Sequence, residues 1–242
     1  MKTQRDGLLF LDTGDLSEIE KFLQLGILDG VTTNPTIMKK CGVVGGFPVI
    51  RDRSKAIAKM IAPLPLSLET SSPEGDEQEI LDQAREFASW GSNINIKVTI
   101  TDQSGKPLLG VIKQLADEGI AVNATAMMSV SQCFLAAKVG AKYVSIFAGR
   151  VANMGNDPKI ETKKLRYLLD RTGLKAQIIA ASSREAFNVI EWWEAGAHIV
   201  TVTPDLLKPC IWHPYTIDTV KLFDGDAADW LPGWRDWKNR QK

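Results

Sequence analysis

The segment Asn93–Ile100, NINIKVTI, alternates as a half-buried strand does, yet it carries a lysine at its centre. Ile94, Ile96 and Val98 share one face; Asn95, Lys97 and Thr99 share the other. If the apolar face packs on helices, Lys97 points into the interior. Burial disfavours an ammonium, lowers the lysine pKa and exposes a neutral amine. Such an amine attacks carbonyls to give a Schiff base, an electron sink for carbon–carbon cleavage. A structural lysine paired with Asp12 or Glu69 is the alternative, and the strand alone leaves both open.

Other short apolar runs also end in polar groups. Asp12 closes LLFLD, Thr33 and Asn34 close DGVTTN, and Glu69 stands near the end of PLSLET. Asn123 and Thr125 lie in IAVNATA, Ser145 in KYVSIFAG and Ser182 at the end of AQIIAAS. A sheet built only for stability would fill many of these places with Val, Ile or Leu. Arg150 and Arg184 follow the sixth and seventh runs, and planar guanidinium forks there suit a phosphate. Either arginine alone reads as a solvated surface residue; the spacing F-A-G-R and A-S-S-R at consecutive strand ends reverses that.

The elements that must position these groups alternate from end to end. LLFLD is followed by a helical segment, Leu16–Leu25, with Asp15 or Ser17 as N-cap. Helical patterns also follow DGVTTN, reaching through residues 51–62, and follow PLSLET over residues 76–90. Further strand–helix pairs continue to AHIVTVT and PDLLKP. Gly26, Gly91, Gly119, Gly140, Gly173 and Gly196 each stand where a helix ends and a left-handed cap is wanted. Eight near-equal units predict an α/β fold, a single-domain (β/α)₈ TIM barrel over residues 1–215. A doubly wound sheet also alternates, but no Gly-rich first turn or P-loop is present. Residues 216–242 read as a C-terminal helical, Trp-rich tail with Trp230, Trp234 and Trp237, packing on the barrel or on a neighbouring subunit.

Composition narrows the function classes. Among 242 residues, Lys plus Arg and Asp plus Glu balance at 29 each, so neither a nucleic acid nor another extended polyanion is an expected partner. No apolar run approaches the roughly 18 residues of a membrane span, and the first residues lack an export signal. Cys41, Cys133 and Cys210 show no redox or metal-ligand spacing, and His198 and His213 are not an i, i+4 pair. Reduced thiols and a cytoplasmic location are the expectation, with no metal site.

The segments FLDTGD (10–15), DGVTTNPTI (29–37), INIKVT (94–99), GIAVNATAMMSVSQCFLAAKVGAKYVSIFAGR (119–150) and AASSRE (180–185) resemble the transaldolase family, in its small single-barrel subfamily related to fructose-6-phosphate aldolase. The resemblance runs from the first strand region to the eighth. It implies Lys97 as the Schiff-base lysine and Asp12 as the acid–base group for the substrate hydroxyl. Glu69 and Thr125 would hold a catalytic water. Thr33, Asn34, Asn123 and Ser145 would bind the ketose, and Arg150, Ser182 and Arg184 its phosphate. Transaldolases carry phenylalanine and glutamate where the aldolases carry tyrosine and glutamine; here these are Phe147 and Glu69. The implied reaction moves a dihydroxyacetone unit between sugar phosphates of the pentose phosphate type, with no cofactor, in a homo-oligomer (pentamer or decamer).

This chain departs from the family pattern in reading Lys97-Val98-Thr99 in place of K-V-P. The following loop, TITDQSGKPLL, is long enough to cover the barrel mouth, and the tail is unusual. These departures keep a specialised sugar phosphate open as substrate. The rival readings are an aldolase that releases free dihydroxyacetone and a sugar-phosphate-binding barrel without turnover.

Overall fold

The structure, a computed structural model, describes residues 6–241. Eight parallel strands close a barrel in sequence order: β1 (Leu8–Asp12), β2 (Gly30–Thr32), β3 (Leu66–Glu69), β4 (Ile94–Thr99), β5 (Val122–Met127), β6 (Tyr143–Ile146), β7 (Gln177–Ala180) and β8 (Ile199–Val202). Pairing of β1 with β8, Leu8 opposite Ile199, completes the circle.

Helix α1 (Leu16–Gln24) follows β1, and α2 (Pro35–Lys40) and α3 (Phe47–Ile61) follow β2. Then α4 (Glu77–Ser89), α5 (Leu109–Asp117) and α6 (Val130–Lys138) follow β3, β4 and β5. A short α7 (Ala148–Asn153) and a long α8 (Pro158–Thr172) follow β6. The series ends with α9 (Asn188–Glu194), α10 (Pro204–Ile211), α11 (Pro214–Asp226) and α12 (Leu231–Asn239). Two compact units result, Met1–Leu206 with all eight strands and Leu207–Lys242. Within the second unit Trp234 and Trp237 stack at 5.1 Å, and no residue of α11 or α12 is buried. Among the described residues no helix is long and apolar enough to cross a membrane.

Local chemistry explains where helices begin and end. Asp15 accepts from the backbone N–H of Ser17 and Glu18, capping α1. Asp76, Ser129 and Asp157 do the same for α4, α6 and α8. Gly26, Gly119, Gly140, Gly173 and Gly196 take positive φ as expected. Gly91 does not: its carbonyl accepts the Ile94 N–H in a turn that leads into β4.

The loop after β4 also differs from expectation. Asp102 Oδ1 accepts from the N–H groups of Ser104 and Lys106, and Thr101 bridges Pro107. Lys106 pairs with Glu77 at 2.6 Å, and Gln103 bonds the Pro73 carbonyl. These contacts fasten the loop to the segment after β3, and its residues do not line the cavity at the barrel mouth.

Inside the barrel, period-two alternation sorts side chains into layers. A lower layer holds Phe10, Tyr143, Ile179 and Ile199 as one buried apolar cluster, with Phe10 and Tyr143 edge to face at 6.5 Å. Gly30 faces the Phe10 ring, and a Cβ there would lie 2.7 Å from it. The remaining strands contribute Ser67, Asn95 and Asn123, all buried.

Candidate active site

Two residues further along each strand, the layer changes character. Phe10 gives way to Asp12, Tyr143 to Ser145, Ile179 to Ala181 and Ile199 to Thr201. On the other four strands Gly30, Ser67, Asn95 and Asn123 give way to Thr32, Glu69, Lys97 and Thr125. All eight upper-layer residues line one cavity of about 400 Å³ at the C-terminal end of the barrel.

Lys97 is the centre of this layer. Its side chain is 6% exposed, and Nζ lies 2.9 Å from Glu69 Oε2, itself 16% exposed. The same nitrogen donates to the Thr33 carbonyl at 2.9 Å. Strand register explains the pair, since Glu69 on β3 stands directly opposite Lys97 on β4. The lysine is thus both buried, as a nucleophile requires, and paired, as the structural alternative required. One arrangement serves both, because a carboxylate in hydrogen-bond reach of an ammonium is also a base for its proton.

Asp12 is buried beside them. Loss of water pushes its carboxyl above the ordinary carboxylate range. Lys97 and a hydrogen bond from Thr32 Oγ1, 2.7 Å long, pull the other way, and Glu69 adds to the rise. A carboxyl so placed can take up and return a proton. Thr125 carries a buried hydroxyl with no partner among the described residues. Next to it β5 slips register against β6, and Ala126 adopts φ 59°, a left-handed conformation that redirects the end of the strand into the cavity wall.

The rim is built from loops. Asn34 caps α2 through Oδ1, which accepts from the Ile37 N–H at 2.9 Å, with Pro35 as the first helical residue. The Asn34 amide Nδ2 keeps its donor capacity, and the residue lines both this cavity and a separate apolar one. Arg150 on α7 stacks over Phe147, guanidinium to ring centroid 5.4 Å. Arg184 follows Ser182, which itself adopts φ 65°. A side chain at Gly149 would run into the Ser182 carbonyl, so glycine there lets the two arginine-bearing arms touch backbone to backbone. Phe147, Arg150, Ser182 and Arg184 all line the cavity.

Two expected residues are not brought to its surface. Thr33 points to the other side of β2: its hydroxyl donates to the Ser67 carbonyl at 2.9 Å, and it lines a separate, apolar cavity of about 300 Å³. Asn123 belongs to the lower layer, fully buried. Its Oδ1 accepts from Ser145 Oγ at 2.7 Å and its Nδ2 donates to Ser67 Oγ at 3.2 Å, so it orients Ser145 from below. Conversely, Thr32 and Thr201 are in the layer and were not anticipated. Their place two residues beyond Gly30 and Ile199 was the available signal.

A closed barrel with a buried lysine among carboxylates and hydroxyls, rimmed by two arginines, puts an amine, proton-carrying groups and anion-binding groups around one cavity. The chain belongs to the Transaldolase/Fructose-6-phosphate aldolase family, whose model matches residues 9–232. It is 40% identical over 224 residues to "Probable transaldolase 2" of Listeria monocytogenes, covering 91% of this chain and 94% of that one. It is 36% identical to "Probable transaldolase" of Streptococcus agalactiae, covering 91% and 96%. The fold alone is shared with thiamine phosphate pyrophosphorylase of Pyrococcus furiosus, at TM-score 0.57 and 12% identity over 81% of this chain and 85% of that one.

Proposed function

We propose that this protein is a transaldolase that moves a three-carbon dihydroxyacetone unit from a ketose phosphate to an aldose phosphate through a Schiff base on Lys97. The observation that carries the reading is the buried Lys97 amine, 2.9 Å from Glu69 in one cavity with Asp12. Glu69 takes the ammonium proton, and the free amine adds to the C2 carbonyl of the ketose. Glu69 returns a proton to the carbinolamine hydroxyl, which leaves as water near Thr125, and an iminium forms. Asp12 removes the C4 hydroxyl proton; the C3–C4 bond breaks and its electrons pass to the iminium, giving an enamine. The aldose phosphate departs. The enamine then adds to a new aldehyde, and Asp12 hands the proton to the new alkoxide. Arg150 and Arg184 hold the phosphate, with Ser182 beside them.

Borohydride trapping tests the reading. With a ketose phosphate, the wild-type chain is expected to gain a reduced three-carbon adduct, and Lys97→Met none. No adduct on the wild type, or an equal adduct on the variant, overturns it. The aldolase alternative is separated at Phe147, whose ring offers no donor to the enamine. Phe147→Tyr is expected to raise release of free dihydroxyacetone in the absence of acceptor.

The same reading takes the enzyme as part of cytoplasmic sugar-phosphate metabolism, supported by the Cys41 and Cys133 thiols, which form no disulfide among the described residues. It also takes the chain as a homo-oligomer. The exposed aromatic residues of the second unit, Tyr215, Phe223, Trp230 and Trp237 among them, support that part, and light scattering on the full chain measures it.

A further inference from the structure

Asp12 Oδ1 receives its hydrogen bond from Thr32 Oγ1 at 2.7 Å, and Thr32 Oγ1 lies 2.6 Å from Thr201 Oγ1. β2 and β8 flank β1 in the barrel, so the two threonines stand on the strands either side of the one that carries Asp12; Thr32 bonds Asp12, and Thr201 bonds Thr32. Both are buried. A hydroxyl carries one proton. Thr32 gives its proton to the carboxylate, so the proton in the short bond between the threonines must come from Thr201.

We propose that Thr201 is a positioning residue: by donating to Thr32 it fixes Thr32 as donor to Asp12 Oδ1, and so reserves Asp12 Oδ2 for the proton of the substrate hydroxyl. The inference rests on Asp12 being the acid–base group. Without Thr201, the Thr32 hydroxyl is free to rotate, and the carboxyl can take a proton on Oδ1, where it faces Thr32 instead of substrate. With the chain intact, an incoming proton lands on the oxygen from which it can be returned. The charged groups that act on Asp12 are Lys97 from β4 and Glu69 from β3; β2 contributes the Thr32 hydroxyl, and β8 contributes Thr201 behind it. Removing the donated bond takes away a force that favours the carboxylate, so the acidic limb of the rate profile moves to higher pH.

The experiment uses Thr201→Val, Thr201→Ser, Thr32→Val and the Thr32→Val/Thr201→Val double variant. Each is first incubated with dihydroxyacetone and borohydride, which traps the Lys97 imine without carbon–carbon cleavage. A wild-type yield of adduct shows that the site is folded. The expected result for Thr201→Val is a fall in kcat of about tenfold, since the neutral bond it removes holds the Thr32 hydroxyl on Asp12, with KM unchanged. The acidic limb shifts upward, and Thr201→Ser restores both rate and profile. The double variant should be no slower than Thr32→Val, because Thr201 acts only through Thr32. Wild-type kcat in Thr201→Val, or losses that multiply in the double variant, overturns the proposal. Asp12→Asn separates the two levels. If it keeps wild-type transfer, the acid–base reading of Asp12 fails; if it is inactive while Thr201→Val is normal, the relay alone fails.

Discussion

The lower and upper layers of the barrel use the same eight strands and solve opposite problems. The lower layer closes the interior with Phe10, Tyr143, Ile179 and Ile199. Near it, at the entrance to β8, His198 is buried; loss of water and the nearby Arg166 push its pKa down to about 4, and its Nδ1 accepts the Ile178 N–H at 3.0 Å. That end tolerates a titratable group only as a neutral, satisfied one. The upper layer keeps Lys97 and Glu69 in a pair and Asp12 under two opposed influences. Lys97, Glu69, Asp12, Thr32, Thr201 and Ser145 are each held by a partner, whereas the Thr125 hydroxyl has none among the described residues. The difference teaches that packing and chemistry are separated in this protein by one pleat, two residues along the chain.

The sharpest way to break that comparison is to cut each layer in turn. Phe10→Ala should open a void under the site and cost about 3–5 kcal/mol in denaturant unfolding, while molecules that remain folded turn over normally. If turnover per folded molecule falls with it, the layers are coupled and the separation fails. Thr125→Val should do the reverse. Its hydroxyl has no partner among the described residues to lose, so stability should hold or rise by about 1 kcal/mol. Turnover should fall about 100-fold if that hydroxyl holds a water used in imine formation. Stopped-flow trapping of the imine would assign the loss to that step. A normal rate would leave Thr125 as packing only.

The barrel was legible in the sequence because its signals are periodic and repeated: eight short apolar runs, amphipathic helices between them, and glycines at helix ends. The short helices α2 and α7 were not, since barely more than one helical turn is too brief to show a period. The site was legible wherever a residue type is costly inside a barrel, as with Lys97, Asp12 and Glu69. It was poorly legible for threonine, which strands favour on any face. DGVTTN holds two adjacent threonines, and alternation sends one inward and one outward. Thr33, beside Asn34, attracted attention; pairing of Asp12 with Thr32 shows that the inward one is Thr32. Asn123 was read on the right face, opposite Lys97 on the next strand. What the sequence did not show is that its amide is taken up by Ser145 and Ser67, because depth along a strand depends on barrel stagger, which no local pattern encodes.

The smallest effect is the most direct test of what the upper layer gives up. Burial raises the Asp12 pKa in the folded chain above its value in the unfolded one, despite Lys97 and Thr32. With a raised folded value, ionised Asp12 costs stability at neutral pH. That cost is relieved as pH falls through the folded pKa and is gone below the unfolded one. Asp12→Asn should therefore melt slightly higher than wild type at pH 7, and the gap should close as the solution is made acid. His198 cannot mimic this trend. It is present in both proteins, and its depressed pKa makes each lose stability in acid alike. A melting-temperature difference that is flat with pH would mean that Lys97 and Thr32 cancel the cost of burial; one that opens in acid would mean that they exceed it. The contrast between the two layers would then lie in chemistry, not in the electrostatic cost of the Asp12 carboxylate.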